Sequence, residues 1–155
     1  MKSVSRPPEP TLDRGFRIAY PAGLVLCVAW PLALQLMLGS AIRRPGTPAG
    51  EAIQQLGYTF TGLTVACAVF VLRRWGRIRC GFRALGPGRR VRVLVRETLL
   101  YSAVFLLSSL FGLCYYALGG PKAEQFARGF IALTTVMFFV FVPRLRAWRE
   151  AAQGE

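Results

Sequence analysis

The residues best suited to chemistry in this sequence are closely spaced arginines near the middle of the chain. They are Arg73, Arg74, Arg77, Arg79, Arg83, Arg89, Arg90, Arg92 and Arg96. Guanidinium groups bind phosphate and carboxylate groups, so one interpretation is a docking surface for anionic lipid headgroups or for an acidic partner subunit. The other is a topology signal without a specific ligand, because the cytoplasmic flanks of membrane spans collect arginine. The sequence favours the topology signal and leaves the docking surface open as an alternative.

Catalytic and cofactor chemistry has little support in the sequence. The 155-residue chain contains no His, which removes the commonest general base, the commonest metal ligand and the usual axial ligand of haem. Its cysteines, Cys27, Cys67, Cys80 and Cys114, form no C-x-x-C pair. Cys27 and Cys67 could meet near mid-membrane and bind Cu(I), but we expect small apolar fillers. We therefore predict no enzyme activity, no catalytic residue, no cofactor and no metal site.

Glu97 is the one acidic residue expected at a cytoplasmic membrane border. Carboxylates inside membranes can carry protons or cations. Glu97, however, directly follows Arg96 and lies in the first turn of a predicted span, where a nearby arginine can neutralise it. No Asp, Glu, Lys or Arg lies in the middle of any predicted span. We therefore expect a structural ion pair and no transport carboxylate.

The elements that must position these groups are four apolar stretches that carry charge only near their ends, the fourth of which is short unless Arg128 reaches the interface. Hydrophobic residues make up 54% of the chain and charged residues 17%, whereas soluble domains carry about 25% charged residues. About 20 apolar residues suffice for a helix to cross a bilayer. The sequence thus predicts an all-α polytopic membrane protein with four transmembrane helices and a kink at Pro31. The predicted spans cover residues 17–38, 53–72, 98–118 and 126–143.

The arginine-rich segment, residues 73–97, is predicted to be a cytoplasmic hairpin that extends the second and third spans beyond the lipid. Apolar residues recur at helical spacing on both sides of Gly86-Pro87-Gly88, which supplies the turn. The polar, proline-containing N-terminus is typical of a disordered tail. The predicted organisation is a disordered tail over residues 1–15, a transmembrane domain over 16–149 and a polar tail over 150–155.

Positive charge is distributed unevenly along this chain of net charge +13. The N-terminus, the hairpin and the C-terminus carry most of it, while the opposite side of the predicted membrane has only Arg43, Arg44, Lys122 and Arg128. Because positive residues remain on the inner side, both termini are predicted to be cytoplasmic, in a bacterial inner membrane. Lipid headgroups would block access to nucleic acid, and no aromatic residues interleave the arginines for base stacking, so no nucleic-acid partner is predicted.

The leading hypothesis is a non-catalytic accessory, assembly or stabilising subunit of a larger bacterial inner-membrane complex. Its predicted partners are the bilayer, anionic lipids, and other membrane subunits or further copies of the chain. One alternative is a small oligomeric transporter or channel, in which serines and threonines of the spans would line a polar path; such residues more often join helices. A third hypothesis is a membrane-border enzyme acting on a lipid-like substrate.

Overall fold

The computed structural model describes residues 12–40 and 51–153, and every element in those ranges is helical. A π-helical turn, Val25–Ala29, separates α1 from α2, and a 3-10 turn, Gly120–Ala123, separates α4 from α5. The α-helices are α1 (Leu12–Leu24), α2 (Trp30–Ser40), α3 (Glu51–Phe82), α4 (Pro87–Gly119), α5 (Glu124–Phe141) and α6 (Leu145–Gln153).

Four stretches of the described chain are long and apolar enough to cross a membrane, which confirms the prediction of an all-helical protein with four such helices. These stretches are Leu12–Leu38, Ile53–Phe82, Pro87–Gly119 and Glu124–Gln153. Residues 1–11 of the predicted N-terminal tail lie outside the described residues, as do residues 154 and 155. The segment expected as a polar C-terminal tail contributes its first four residues to α6.

The centre of the bundle is the pair α4 and α5, which share the most extensive helix–helix contact among the described residues. A Cβ atom added to Gly112 of α4 would lie 2.7 Å from the backbone oxygen of Ala127 in α5. The absent side chain therefore lets the two backbones approach closely, as is common between membrane helices. Phe105 and Phe138 fill the centre of this interface and are completely or almost completely buried.

The first span changes partner at the π-helical turn: α1 packs mainly against α4, and α2 packs against α5. Trp30 donates its backbone N–H to the Val25 carbonyl oxygen, five residues back, immediately before Pro31. Proline has no N–H and its ring crowds the preceding turn, so such irregular turns are common there. Just before Pro31, where the sequence predicts a kink, the chain thus contains a π-helical turn.

One face of the first span consists of small residues at intervals of four. Gly15, Ala19, Gly23 and Cys27 are all buried. A Cβ atom on Gly23 would lie 2.5 Å from Ser102 Oγ of α4. These small residues bring α1 against α4 in the manner of small-xxx-small contacts between transmembrane helices.

The short helix α6 closes one end of the bundle. Val142, which precedes Pro143, has an extended backbone (φ −76°, ψ 121°), and this ends α5. Trp148 of α6 is fully buried, with its ring 4.6 Å from that of Trp75 and 5.1 Å from that of Phe82. The helix thereby packs its apolar face on α3 and turns its arginines outward.

The start of α1, the α3–α4 connection and α6 meet at the same end of the bundle. The Arg149 guanidinium donates to both carboxylate oxygens of Asp13 at 2.9 Å, which joins α6 to the first turn of α1. We call this the basic end, because all nine arginines of the central segment also lie there, on the end of α3, on the connection or on the first part of α4.

Candidate functional site

The central arginines are divided between the end of α3, the α3–α4 connection, which contains Arg83, and the start of α4. Residues 83–86 connect the two helices, with backbone hydrogen bonds from Ala84 to Gly81 and from Arg90 to Gly86. Arg74 and Arg90 are partly buried. The other members of the segment are exposed: Arg73, Arg77, Arg79, Arg83, Arg89, Arg92 and Arg96.

Arg90 holds the α3–α4 connection in place. Its Nε donates to the Leu85 carbonyl oxygen at 2.7 Å, and its Nη2 donates to the Arg83 carbonyl oxygen at 2.6 Å. Both carbonyl groups belong to the connection, directly after α3 ends at Phe82. A positive group at a helix C-terminus is also favoured by the helix dipole. Arg90 therefore has a structural role that its position in an arginine cluster did not reveal.

Arg74 and Glu97 form a two-point ion pair between α3 and α4. Arg74 Nη2 donates to Glu97 Oε1 at 2.8 Å, and Arg74 Nε donates to the other carboxylate oxygen. Glu97 is only 4% exposed. The neutralising arginine is therefore Arg74 on the neighbouring helix. A paired, hydrogen-bonded carboxylate avoids most of the cost of burying a bare charge.

Two hydroxyl groups lie buried close to this ion pair along α4. Thr98 directly follows Glu97, and Tyr101 lies one helical turn further on; both side chains are 0% exposed. The Thr98 hydroxyl has no hydrogen-bond partner among the described residues, whereas the Tyr101 hydroxyl lies close to Glu97 and Arg74. The basic end thus encloses a small polar cluster, one side of which is the Arg74–Glu97 pair.

The exposed arginines of α4 continue a helix face on which leucines are exposed. Arg89, Arg92 and Arg96 are exposed at helical spacing, and Leu99 and Leu107 are exposed further along the same face. A helix face that changes from leucine to arginine suits the passage from hydrocarbon to headgroups. This geometry fits both interpretations of the segment, the topology signal and the anionic docking surface.

The hydroxyl groups in the middle of α4 and α5 join the helices to each other. Ser108 Oγ donates to the Phe130 carbonyl oxygen at 2.8 Å. Ser109 and Thr134 share a hydrogen bond of 2.7 Å. These groups are used in helix packing, which is the commoner role of serine and threonine in membrane helices.

The cysteines are free thiols in different surroundings. Cys27 is buried and donates its thiol to the Ser102 carbonyl oxygen at 3.3 Å, whereas Cys67 is partly buried and Cys80 and Cys114 are exposed. Within the described ranges, no three Cys, Asp or Glu side chains lie close enough together to hold a metal ion.

Comparison of the chain with protein-family models, with curated proteins and with solved structures finds no match. The clues to the function of this protein are therefore the charges, helix contacts and open surfaces of the chain itself.

An open groove of about 540 Å³ lies between α3 and the α5–α6 junction. From the sequence alone, the arginines after Pro143 indicate only that this end of the helix lies on the cytoplasmic side of the membrane. The clue to the groove was available in Pro143 itself, which breaks the helix just before a short amphipathic segment. The groove is lined by Leu72, Trp75, Phe139, Val140, Phe141, Val142, Pro143, Arg144, Arg146, Ala147 and Glu150.

Proposed function

We propose that the chain is a non-catalytic accessory, assembly or stabilising subunit of a larger complex in the bacterial inner membrane. The observation that carries this proposal is the open outer face of α3. This helix buries Thr64, Ala68 and Val71 against the bundle. Large apolar residues from Tyr58 to Leu72 remain exposed on its other side. A partner helix would find there a long surface that the chain itself leaves uncovered.

Small and hydroxylated residues make this face suitable for another helix as well as for lipid. A Cβ atom added to Gly62 would meet nothing within 4 Å, and Ala66, one turn further, is exposed. Thr59 is exposed, with its hydroxyl bonded to the Gln55 carbonyl oxygen at 3.0 Å. Gly, Ala and Thr are enriched where membrane helices approach each other closely.

The orientation in this proposal places the basic end in the cytoplasm, with both termini on that side. Positive residues remain on the cytoplasmic side during insertion. Among the described residues, the exposed arginines of the basic end greatly outnumber those of the opposite end, where Arg128 is exposed. Residues such as Arg89, Arg92 and Arg96 would then lie beside anionic headgroups or an acidic segment of the partner.

A transporter has less support than an accessory subunit. A water-filled path needs polar side chains that face it, whereas Ser108, Ser109 and Thr134 are bonded across the α4–α5 interface. The Glu97 carboxylate is likewise bonded at both oxygens by Arg74. These bonds favour a packed helical unit.

Purification from the native host in mild detergent tests the proposal. A tagged wild-type chain should recover one or more membrane partners in fixed stoichiometry. Gly62→Leu should reduce that recovery, because the larger side chain would fill the open space beside Gly62 on the outer face of α3. Gly129→Leu is the matched control, because Gly129 of α5 also has nothing within 4 Å of an added Cβ atom. Recovery of the chain alone, as a defined small homo-oligomer, would contradict the proposal.

A further inference from the structure

The groove between α3 and the α5–α6 junction has one apolar part and one basic part. Its apolar part includes Leu72 of α3 and Phe139 and Val140 of α5, all of which are exposed. Its polar part includes Arg144 and Arg146, near the start of α6. An occupant that matches both parts must carry an apolar chain and a negative group.

Next to the groove, both α3 and the segment after α5 change from apolar to basic residues, although Arg73 itself does not line the groove. On α3 the sequence passes from Leu72 to Arg73, and after α5 it passes from Pro143 to Arg144. Trp75 also lines the groove. Tryptophan is enriched at the level of lipid headgroups, where its ring is partly apolar and its N–H is polar. The groove therefore spans the boundary between hydrocarbon and headgroups.

Arg144 is the cation in the groove that remains available for a ligand. The other one, Arg146, donates from Nε to Glu150 Oε1 at 2.8 Å. Arg144 is exposed and forms no ion pair with any acidic residue of the described chain. It also immediately precedes α6, whose first turn carries partial positive charge. Both features favour an anion at this end of the groove.

We propose that this groove binds one anionic phospholipid. The phosphate of the headgroup would lie beside Arg144, and the first part of the acyl chains would pack on Leu72, Phe139 and Val140. The volume of about 540 Å³ is within the usual range of ligand sites, about 300–1,000 Å³. Because the groove is open, the remainder of each chain can continue into the bilayer. The bound lipid would fill the space between α3 and α5.

This site is separate from the cluster of nine arginines in the central segment of the sequence. The cluster lies on the α3–α4 connection, whereas the groove depends on α3 and the segment after Pro143. The proposal also does not depend on an accessory role, since a transporter or an enzyme could hold the same lipid.

Native mass spectrometry of the full chain in detergent tests the proposal, with phosphatidylglycerol and phosphatidylcholine of identical acyl chains as probes. We expect a one-to-one complex with phosphatidylglycerol and weaker binding of phosphatidylcholine. Equal binding of the two lipids would overturn the proposal, because it would remove the role of the negative headgroup.

Charge-matched variants locate the site on the protein. Arg144→Gln should weaken phosphatidylglycerol binding roughly fivefold, the effect of one basic residue near an anionic headgroup, and Arg144→Lys should retain most of it. Arg17→Gln removes the same charge from an exposed position on α1, outside the groove, and should change binding less than twofold. Equal losses in Arg17→Gln and Arg144→Gln would assign the binding to net charge and overturn the site.

A variant that fills the groove gives a test that does not depend on charge. Val140 is 65% exposed and lines the apolar part, so Val140→Trp should fold and displace the lipid chains. Val136→Trp, one turn earlier on α5 and 54% exposed, is the control outside the groove lining. Undiminished phosphatidylglycerol binding by a folded Val140→Trp chain would contradict the proposal.

Discussion

The Thr135 hydroxyl donates a hydrogen bond to the Cys27 carbonyl oxygen at 2.7 Å. In a regular α-helix that oxygen would accept the N–H of the residue four positions later, which is Pro31 and has no N–H. A side chain of α5 therefore supplies this carbonyl oxygen with a donor that Pro31 cannot provide. Membrane helices tolerate internal proline when a neighbouring helix satisfies the freed backbone group in this way.

Replacing Thr135 by valine should destabilise the protein by about 0.5–1.5 kcal/mol, the range for hydrogen bonds between membrane helices. The shape of the side chain is nearly unchanged, so the loss would report the hydrogen bond. Thr135→Ser keeps the hydroxyl and should lose less. In a Pro31→Ala background, where the substituted residue can supply a backbone N–H, Thr135→Val should cost less than in the wild type. Unfolding in mixed detergent micelles measures each of these chains, and equal costs in both backgrounds would contradict the coupling.

Replacing Arg74 by glutamine should destabilise the bundle by about 3 kcal/mol, because Glu97 would remain buried without its partner. Arg73→Gln is the matched control: its side chain is exposed, so the change should stay within about 0.5 kcal/mol. Both variants lose one positive charge. Equal stability of the two in a thermal unfolding experiment would show that the ion pair contributes little to α3 docking.

The loss of Arg74 should act mainly on α3. Apart from this ion pair, α3 makes few contacts with the other helices, whereas α4 and α5 share a much larger interface. Hydrogen exchange of the Arg74→Gln chain in detergent should therefore rise along α3 and change little in α4 and α5. A uniform rise across all helices would instead indicate that α3 unfolds together with the centre of the bundle.

Much of the fold could be predicted from composition and spacing, whereas the site could not. Four uncharged stretches require four buried or lipid-covered helices, and hydropathy alone reveals them. Which polar residues meet across helices depends on how each helix is rotated about its own axis and how far it is shifted along its neighbours. Hydropathy gives no information on either. Arg74 and Arg73 are adjacent and identical in type, yet only Arg74 faces Glu97.

The contact between the first span and α4 is predictable from a four-residue repeat of small side chains, Gly15, Ala19, Gly23 and Cys27. Its spacing is typical of a close helix contact, and all four residues are buried. The arginines after Pro143 are a different case. They form part of a groove only because α6 folds back on Trp75, a contact that no local pattern indicates.

Adding one methyl group to Gly112 should destabilise the protein by about 1–3 kcal/mol, since the new Cβ would press on the Ala127 backbone, which cannot rotate away. Gly129→Ala is the control on α5, where an added Cβ meets nothing within 4 Å. That change should be neutral or stabilise by up to about 1 kcal/mol through helix propensity. Detergent unfolding curves distinguish the two, and a neutral Gly112→Ala would mean that α4 and α5 can move apart at little cost.

Arg90→Gln should cost about 1 kcal/mol by removing the charged donors to the Arg83 and Leu85 carbonyl oxygens. Arg89→Gln removes the same charge from the exposed neighbouring position and should change stability by less than about 0.5 kcal/mol. Proteolysis in detergent provides a local measure, because residues 83–86 should be cut faster in Arg90→Gln alone. Equal cleavage of both variants would indicate that the connection does not depend on the Arg90 cap.

The proposed orientation predicts that Cys80, an exposed thiol of the basic end, reacts with a membrane-impermeant maleimide only from the cytoplasmic side. Inside-out membrane vesicles should be labelled and right-side-out spheroplasts should not, and Cys80→Ser should abolish the signal. Gln54 is exposed at the opposite end of the same helix. In the Cys80→Ser background, Gln54→Cys should therefore give the reverse pattern, with labelling of spheroplasts. Labelling of wild-type spheroplasts at Cys80 would place the arginines outside the cell and contradict the cytoplasmic location of both termini.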